Sequence, residues 1–162
     1  MRTALALLVF GGGVAQATVV PVFRLGHVVP DLPLVMVVLL ALRRGPVAGC
    51  AAGFVAGLVQ DSTGGGLIGV QALTKALVGF AIGSVAGRLR ATQPLVQVPG
   101  LVVLSLAEGL ARFALLQLFH FPAPFGELMT YVIVPQALYN GFLGALLAFG
   151  EAGVQAVRAR VS

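Results

Sequence analysis

Three charged side chains, Lys75, Glu108 and Arg112, interrupt runs that are otherwise apolar. Near the middle of a membrane-length segment each costs about 2.5–3.5 kcal/mol on insertion scales, so such a residue needs a partner or a function to offset it. Glu108 and Arg112 lie four residues apart with the acid N-terminal, a spacing that puts them on one helix face and lets them pair. Lys75 can dock on Glu108 to complete a triad. Two chemistries fit the cluster: an ion-paired clip fixing the register of two helices, or a polar site for transport or proton relay. Both histidines, His27 and His120, fall in predicted loops, and no carboxylate ladder extends beyond Glu108, which favours the clip.

Asp31 and Asp61 are expected at the outer face. Asp31, ahead of Pro33, reads as an N-cap. Asp61 falls at the negative C-terminal end of its helix, where an acid is disfavoured by about 0.3–1 kcal/mol. Its carboxylate then either accepts backbone N–H groups from Ser62 to Gly66 in a turn or pairs with Arg24 or a partner protein. A catalytic carboxylate pair would have to be assembled from Asp31, Asp61 and Glu108, which are predicted at different depths. The single cysteine, Cys50, offers neither a disulfide framework nor a metal set. Gly64-Gly65-Gly66 lacks the GK[ST] that would make it a phosphate loop. No catalytic, cofactor-binding or metal-ligating residue is expected.

The elements holding these charges are marked by glycine. Gly45, Gly49, Gly53 and Gly57 recur every fourth residue, as do Gly79, Gly83 and Gly87; Ala137, Gly141 and Ala145 form a weaker series. Such ridges let helix backbones approach closely where lipid supplies no hydrophobic drive. They are expected to pack either against this chain's own helices or against a partner's.

Hydrophobic residues make up 59% of the 162 positions and charged residues 9%, against roughly 25% charged in soluble domains. A water-soluble fold is excluded. The length accommodates about six spans of about 20 residues and no separate extramembrane domain, so residues 1–162 read as one polytopic membrane domain. The net charge of +5 is distributed singly or in pairs between apolar runs, a topology signal rather than a nucleic-acid patch.

Apolar runs predict spans at about 3–23, 31–42, 45–59, 67–87, 95–118 and 127–149. The first begins like a signal peptide, with Arg2 and Ala15-Gln16-Ala17, but its apolar run continues through Phe23, the length of a true span. At 1.5 Å per residue the second and third reach only about 18 and 22 Å against a hydrocarbon core of about 30 Å. They must borrow flanking residues or form a hairpin inside protein, and Pro46 suits a first helical turn. Seven of the ten basic residues (Arg2, Arg43, Arg44, Arg88, Arg90, Arg158 and Arg160) fall on one side of this scheme, and only Arg24 lies opposite. Both termini are therefore predicted to be cytoplasmic. Phe119, Phe121 and Phe125, interleaved with Pro122 and Pro124, suit a turn at headgroup level.

Pro30-Asp31-Leu32 opening an apolar helix, Gly49, the run GFVAGLVQD from Gly53 to Asp61, a glycine-rich turn and then Gly69-Val70-Gln71-Ala72-Leu73 together resemble the rod shape-determining MreD family. Pro135 with Tyr139-Asn140 resembles the family's final helix. The resemblance implies a non-enzymatic subunit of the bacterial inner membrane that binds MreC, beside RodA and its class B penicillin-binding transpeptidase, with MreB an indirect partner. It also implies an all-α, six-span bundle laid out like the S subunits of energy-coupling-factor vitamin transporters, which supplies the alternative function. Such a subunit needs a pocket with several convergent polar or aromatic groups, and this chain has no Trp and only Tyr131 and Tyr139. The Lys75, Glu108 and Arg112 cluster is not part of the resemblance.

Overall fold

The computed structural model describes Gly11 and residues 29–64, 67–86 and 94–161. The first predicted span apart from Gly11, and His27, Arg2, Arg24, Gly65, Gly66, Gly87, Arg88 and Arg90, lie outside the described residues. Those described are helical apart from short connections, with no strand among them.

Helix α1 (Leu32–Arg44) starts where Asp31 accepts the Leu34 N–H at 3.0 Å, the predicted N-cap. It ends on Arg43 and Arg44, whose charges suit the negative end of the helix. Gly45 then turns the chain at φ +85°, a conformation that favours glycine. Pro46 opens α2 (Pro46–Gly64), where its fixed φ is preorganised and its missing N–H costs nothing. Gly45 thus makes a corner instead of extending the glycine ridge, and a Cβ there would meet nothing.

The expectation for α1 holds: 13 residues reach only about 20 Å. The helix is surrounded by protein. Leu34, Val35, Val37, Val38 and Ala41 are buried on more than one face, with Leu34, Val35 and Val38 packed on Val78 and Leu101. The third predicted span, by contrast, is not short. Helix α2 runs through 19 residues to Gly64, and in its last turn Ser62 and Thr63 place their hydroxyls on the Leu58 and Val59 carbonyls.

Helix α3 (Val70–Ala86) follows a turn in which Gly69 takes φ +103°. Helix α4 (Pro94–Leu118) ends in a Schellman turn: His120 adopts φ 55°, its N–H reaches the Gln117 carbonyl, and the Phe121 N–H reaches Leu116. A short α5 (Phe125–Leu128) continues through a π turn (Met129–Ile133) into α6 (Val134–Val161). The wide turn sits just before Pro135, whose ring would otherwise crowd the Tyr131 carbonyl.

Helix α2 packs chiefly on α3 and α4 chiefly on α6; α1 contacts α2 and α3 and touches α4 and α6. Two stretches, Val98–Leu118 and Phe125–Leu147, are long and apolar enough to cross a bilayer, and Val70–Ala86 is apolar but shorter.

Candidate functional site

The α2–α3 contact is set by glycine. A Cβ built at Gly49 would strike the Gly79 carbonyl, one at Gly53 the Lys75 carbonyl, and one at Gly57 the Gln71 carbonyl; one at Gly83 would strike the backbone of Gly45 and Pro46. These ridges face each other within the chain. The close approach carries Lys75, in the second turn of α3, into the interior.

Lys75 is fully buried, and Asp31 and Glu108 are 1% and 2% exposed. The Lys75 Nζ lies 2.8 Å from Asp31 Oδ2 and 3.3 Å from Glu108 Oε1, and it donates to Gln71 Oε1 at 2.6 Å. Gln71 and Glu108 accept hydrogen bonds from the ammonium, and Asp31 faces it as an ion pair. The Thr74 hydroxyl, also in contact with the Val70 carbonyl, lies 3.1 Å from Glu108 Oε1. Asp31 bridges two helices: one carboxylate oxygen caps α1 and the other pairs with α3.

Helix α6 closes the network. Asn140 Oδ1 accepts the Asp31 N–H at 2.8 Å, Asn140 Nδ2 donates to Ser105 Oγ at 3.0 Å, and Gln136 Nε2 donates to the Val29 carbonyl at 2.9 Å. Side chains of α1, α3, α4 and α6 therefore meet in one polar centre. Such a centre is costly if any member loses its partner, because a buried charge left alone has neither water nor counter-ion.

The expected Lys75–Glu108 contact is present, but the third member is Asp31 rather than Arg112. Among the described residues Arg112 makes no ion pair; it lines a cavity at the end of the bundle where α2 ends and α3 begins. Asp31, expected at a different depth from Glu108, meets it at Lys75. A short helix buried inside the bundle places its capping residue beside the second turn of α3.

For Asp61 the expected backbone acceptor role holds, but with later N–H groups than those of Ser62 to Gly66; Arg24 lies outside the described residues. Asp61 is buried inside α2, and its carboxylate accepts the N–H groups of Gly69 (2.8 Å), Gln71 (3.1 Å) and Ala72 (3.2 Å). The positive N-terminal end of α3 thus neutralises an acid at the unfavourable end of α2. One side chain satisfies three N–H groups that a helix start leaves without partners.

Gln71, Thr74, Ser105, Gln136 and Asn140 were not singled out as site residues. One signal was available for Gln71, which precedes Lys75 by one helical turn. Asn140 had another, as an amide within an apolar span.

The fold and its centre define a helical membrane protein whose buried charges serve one another. The profile of the family described as rod shape-determining protein MreD matches residues 1–150, and the chain belongs to that family. No curated protein and no solved structure matches it.

Proposed function

We propose that this protein is a non-enzymatic scaffold subunit of the bacterial cell-elongation complex, a six-span protein of the inner membrane with both termini cytoplasmic. It binds the single membrane span of MreC, sits beside RodA and its class B penicillin-binding partner, and reaches MreB indirectly. Family membership over residues 1–150 carries this reading. The structure supports it in two ways. The buried ionisable groups are engaged with one another or with backbone, as in a structural joint. The described glycine ridges are consumed between α2 and α3, leaving apolar side chains such as Phe80, Leu138 and Phe142 on the outside for lipid or partner helices.

Copurification of MreC from crosslinked native membranes tests the reading; recovery of vitamin-transporter ATPases in its place would contradict it. A reporter fused after Arg44 tests the orientation and should report from the cytosol.

A further inference from the structure

Two cavities adjoin at the end of the bundle formed by the end of α2, the start of α3 and the end of α4. The first, of about 210 Å³, is lined by Gln60, Asp61, Gln71, Arg112, Leu116 and Phe121, among others. The second, of about 220 Å³, shares Leu67 and Val70 with it and is otherwise walled by residues such as Leu73, Leu115 and Phe119. One carries polar side chains on part of its wall, and the side chains lining its neighbour are apolar. The first is smaller than the roughly 300–1,000 Å³ of a pocket for a whole small molecule, yet larger than the about 30 Å³ share of one water. A headgroup-sized fragment fits that range.

The polar wall has two unmet demands. Gln60 Oε1 is buried and accepts no hydrogen bond among the described residues. Arg112 makes no ion pair among them. It lies six residues before the end of α4, about 9 Å along the axis, within snorkelling reach of the headgroup level. Asp61 adds a carboxylate, so the lining carries one charge of each sign. A simple anion would face that carboxylate and leave the Gln60 oxygen without a donor. A zwitterion carrying a phosphate and an N–H-bearing ammonium gives Arg112 an anion and Gln60 a donor, and sets its cation on the side of the Asp61 carboxylate.

We propose that these cavities bind one phospholipid with a primary-ammonium headgroup, of the phosphatidylethanolamine type. Its phosphate sits on Arg112, its ammonium faces Gln60 and Asp61, and an acyl chain runs past Leu67 and Val70 into the apolar cavity. Gln71 links this site to the interior, since its amide oxygen holds Lys75 while the residue lines the cavity.

The test is titration of the delipidated full-length protein in detergent, read by native mass spectrometry. Ethanolamine, choline and glycerol phospholipids with identical acyl chains are compared, with inorganic phosphate as competitor. The expected result is one ethanolamine lipid per chain, bound about tenfold more tightly than either other lipid, the size of one charge-assisted hydrogen bond. Gln60→Leu should remove that preference while retaining choline-lipid affinity, and Arg112→Gln should weaken all three. Gln60→Glu should sharpen the ethanolamine preference, which keeps the proposal testable if the leucine variant misfolds. Equal affinity for the three lipids, preference for the glycerol lipid, or displacement by millimolar inorganic phosphate would each overturn it.

Discussion

Where α2 crosses α3, glycine meets backbone; where α4 crosses α6, glycine meets side chains. A Cβ at Gly49, Gly53 or Gly57 runs into main-chain atoms, whereas one at Gly144 runs into the tip of Leu101 and one at Gly141 into Val102 Cγ2. The first contact can yield only if two helices separate, while the second can yield by turning a rotamer. The α2–α3 pair is therefore a fixed block, and the α4–α6 pair is an adjustable one. Lys75 on α3 and Glu108 on α4 link them, with Asp31 and Asn140 completing the joint.

The sharpest way to break this contrast is Gly53→Leu. A side chain driven into the Lys75 carbonyl should both part α2 from α3 and displace the ammonium from its acceptors. We expect loss of the folded monodisperse protein in size-exclusion chromatography, beyond the about 1–3 kcal/mol typical of overpacking. Recovery of a well-folded Gly53→Leu protein would show that the ridge is looser than its geometry.

Next in size is Lys75→Met, which leaves Asp31 and Glu108 facing each other without a cation. Removing one partner of a buried pair costs about 3–5 kcal/mol. Thermal unfolding in micelles should show a clear fall in Tm, with Lys75→Arg less affected. Equal Tm values for the two variants would remove the clip.

Asp61→Ala should cost less, about 1–2 kcal/mol, the scale of losing a helix cap. Hydrogen exchange should rise at Gly69, Gln71 and Ala72, whose N–H groups lose their acceptor. Unchanged protection there would mean that the cap is not holding the start of α3. Smallest of all is Gly144→Ala, which we expect to shift stability by less than about 1.5 kcal/mol because Leu101 can move aside. A loss as large as that of Gly53→Leu would erase the distinction between the two helix pairs.

Much of this was legible in the sequence. The glycine spacing marked the α2–α3 seam, the Asp31-Leu32-Pro33 start marked the cap of α1, and the cost of an intramembrane lysine demanded a partner such as Glu108. The errors share a cause: depth was read from chain position. Asp31 was set at a different level from Glu108 because a full span was assumed to begin there, but α1 is short and buried, and its capping residue meets Lys75 beside Glu108. Arg112 was paired with Glu108 on four-residue spacing alone. That spacing permits contact, yet it also shifts the side chain one turn along the axis and about 40° around it, and Arg112 lines the end cavity instead. For Asp61 the N–H donors were sought in the turn directly after Val59, where the apolar run stops, whereas α2 continues to Gly64 and the donors belong to the start of α3. Ser105 carries no signal until α4 and α6 are docked, and the amide of Asn140 marks a polar contact without naming its partner.

The joint between the two blocks is tested most directly by a double-mutant cycle on Lys75→Met and Glu108→Gln, with unfolding free energies measured in the same micelles. Direct contact predicts a coupling of about 0.5–3 kcal/mol, the double variant being less destabilised than the two single losses combined. Strictly additive losses in folded proteins would contradict a Lys75–Glu108 link between α3 and α4.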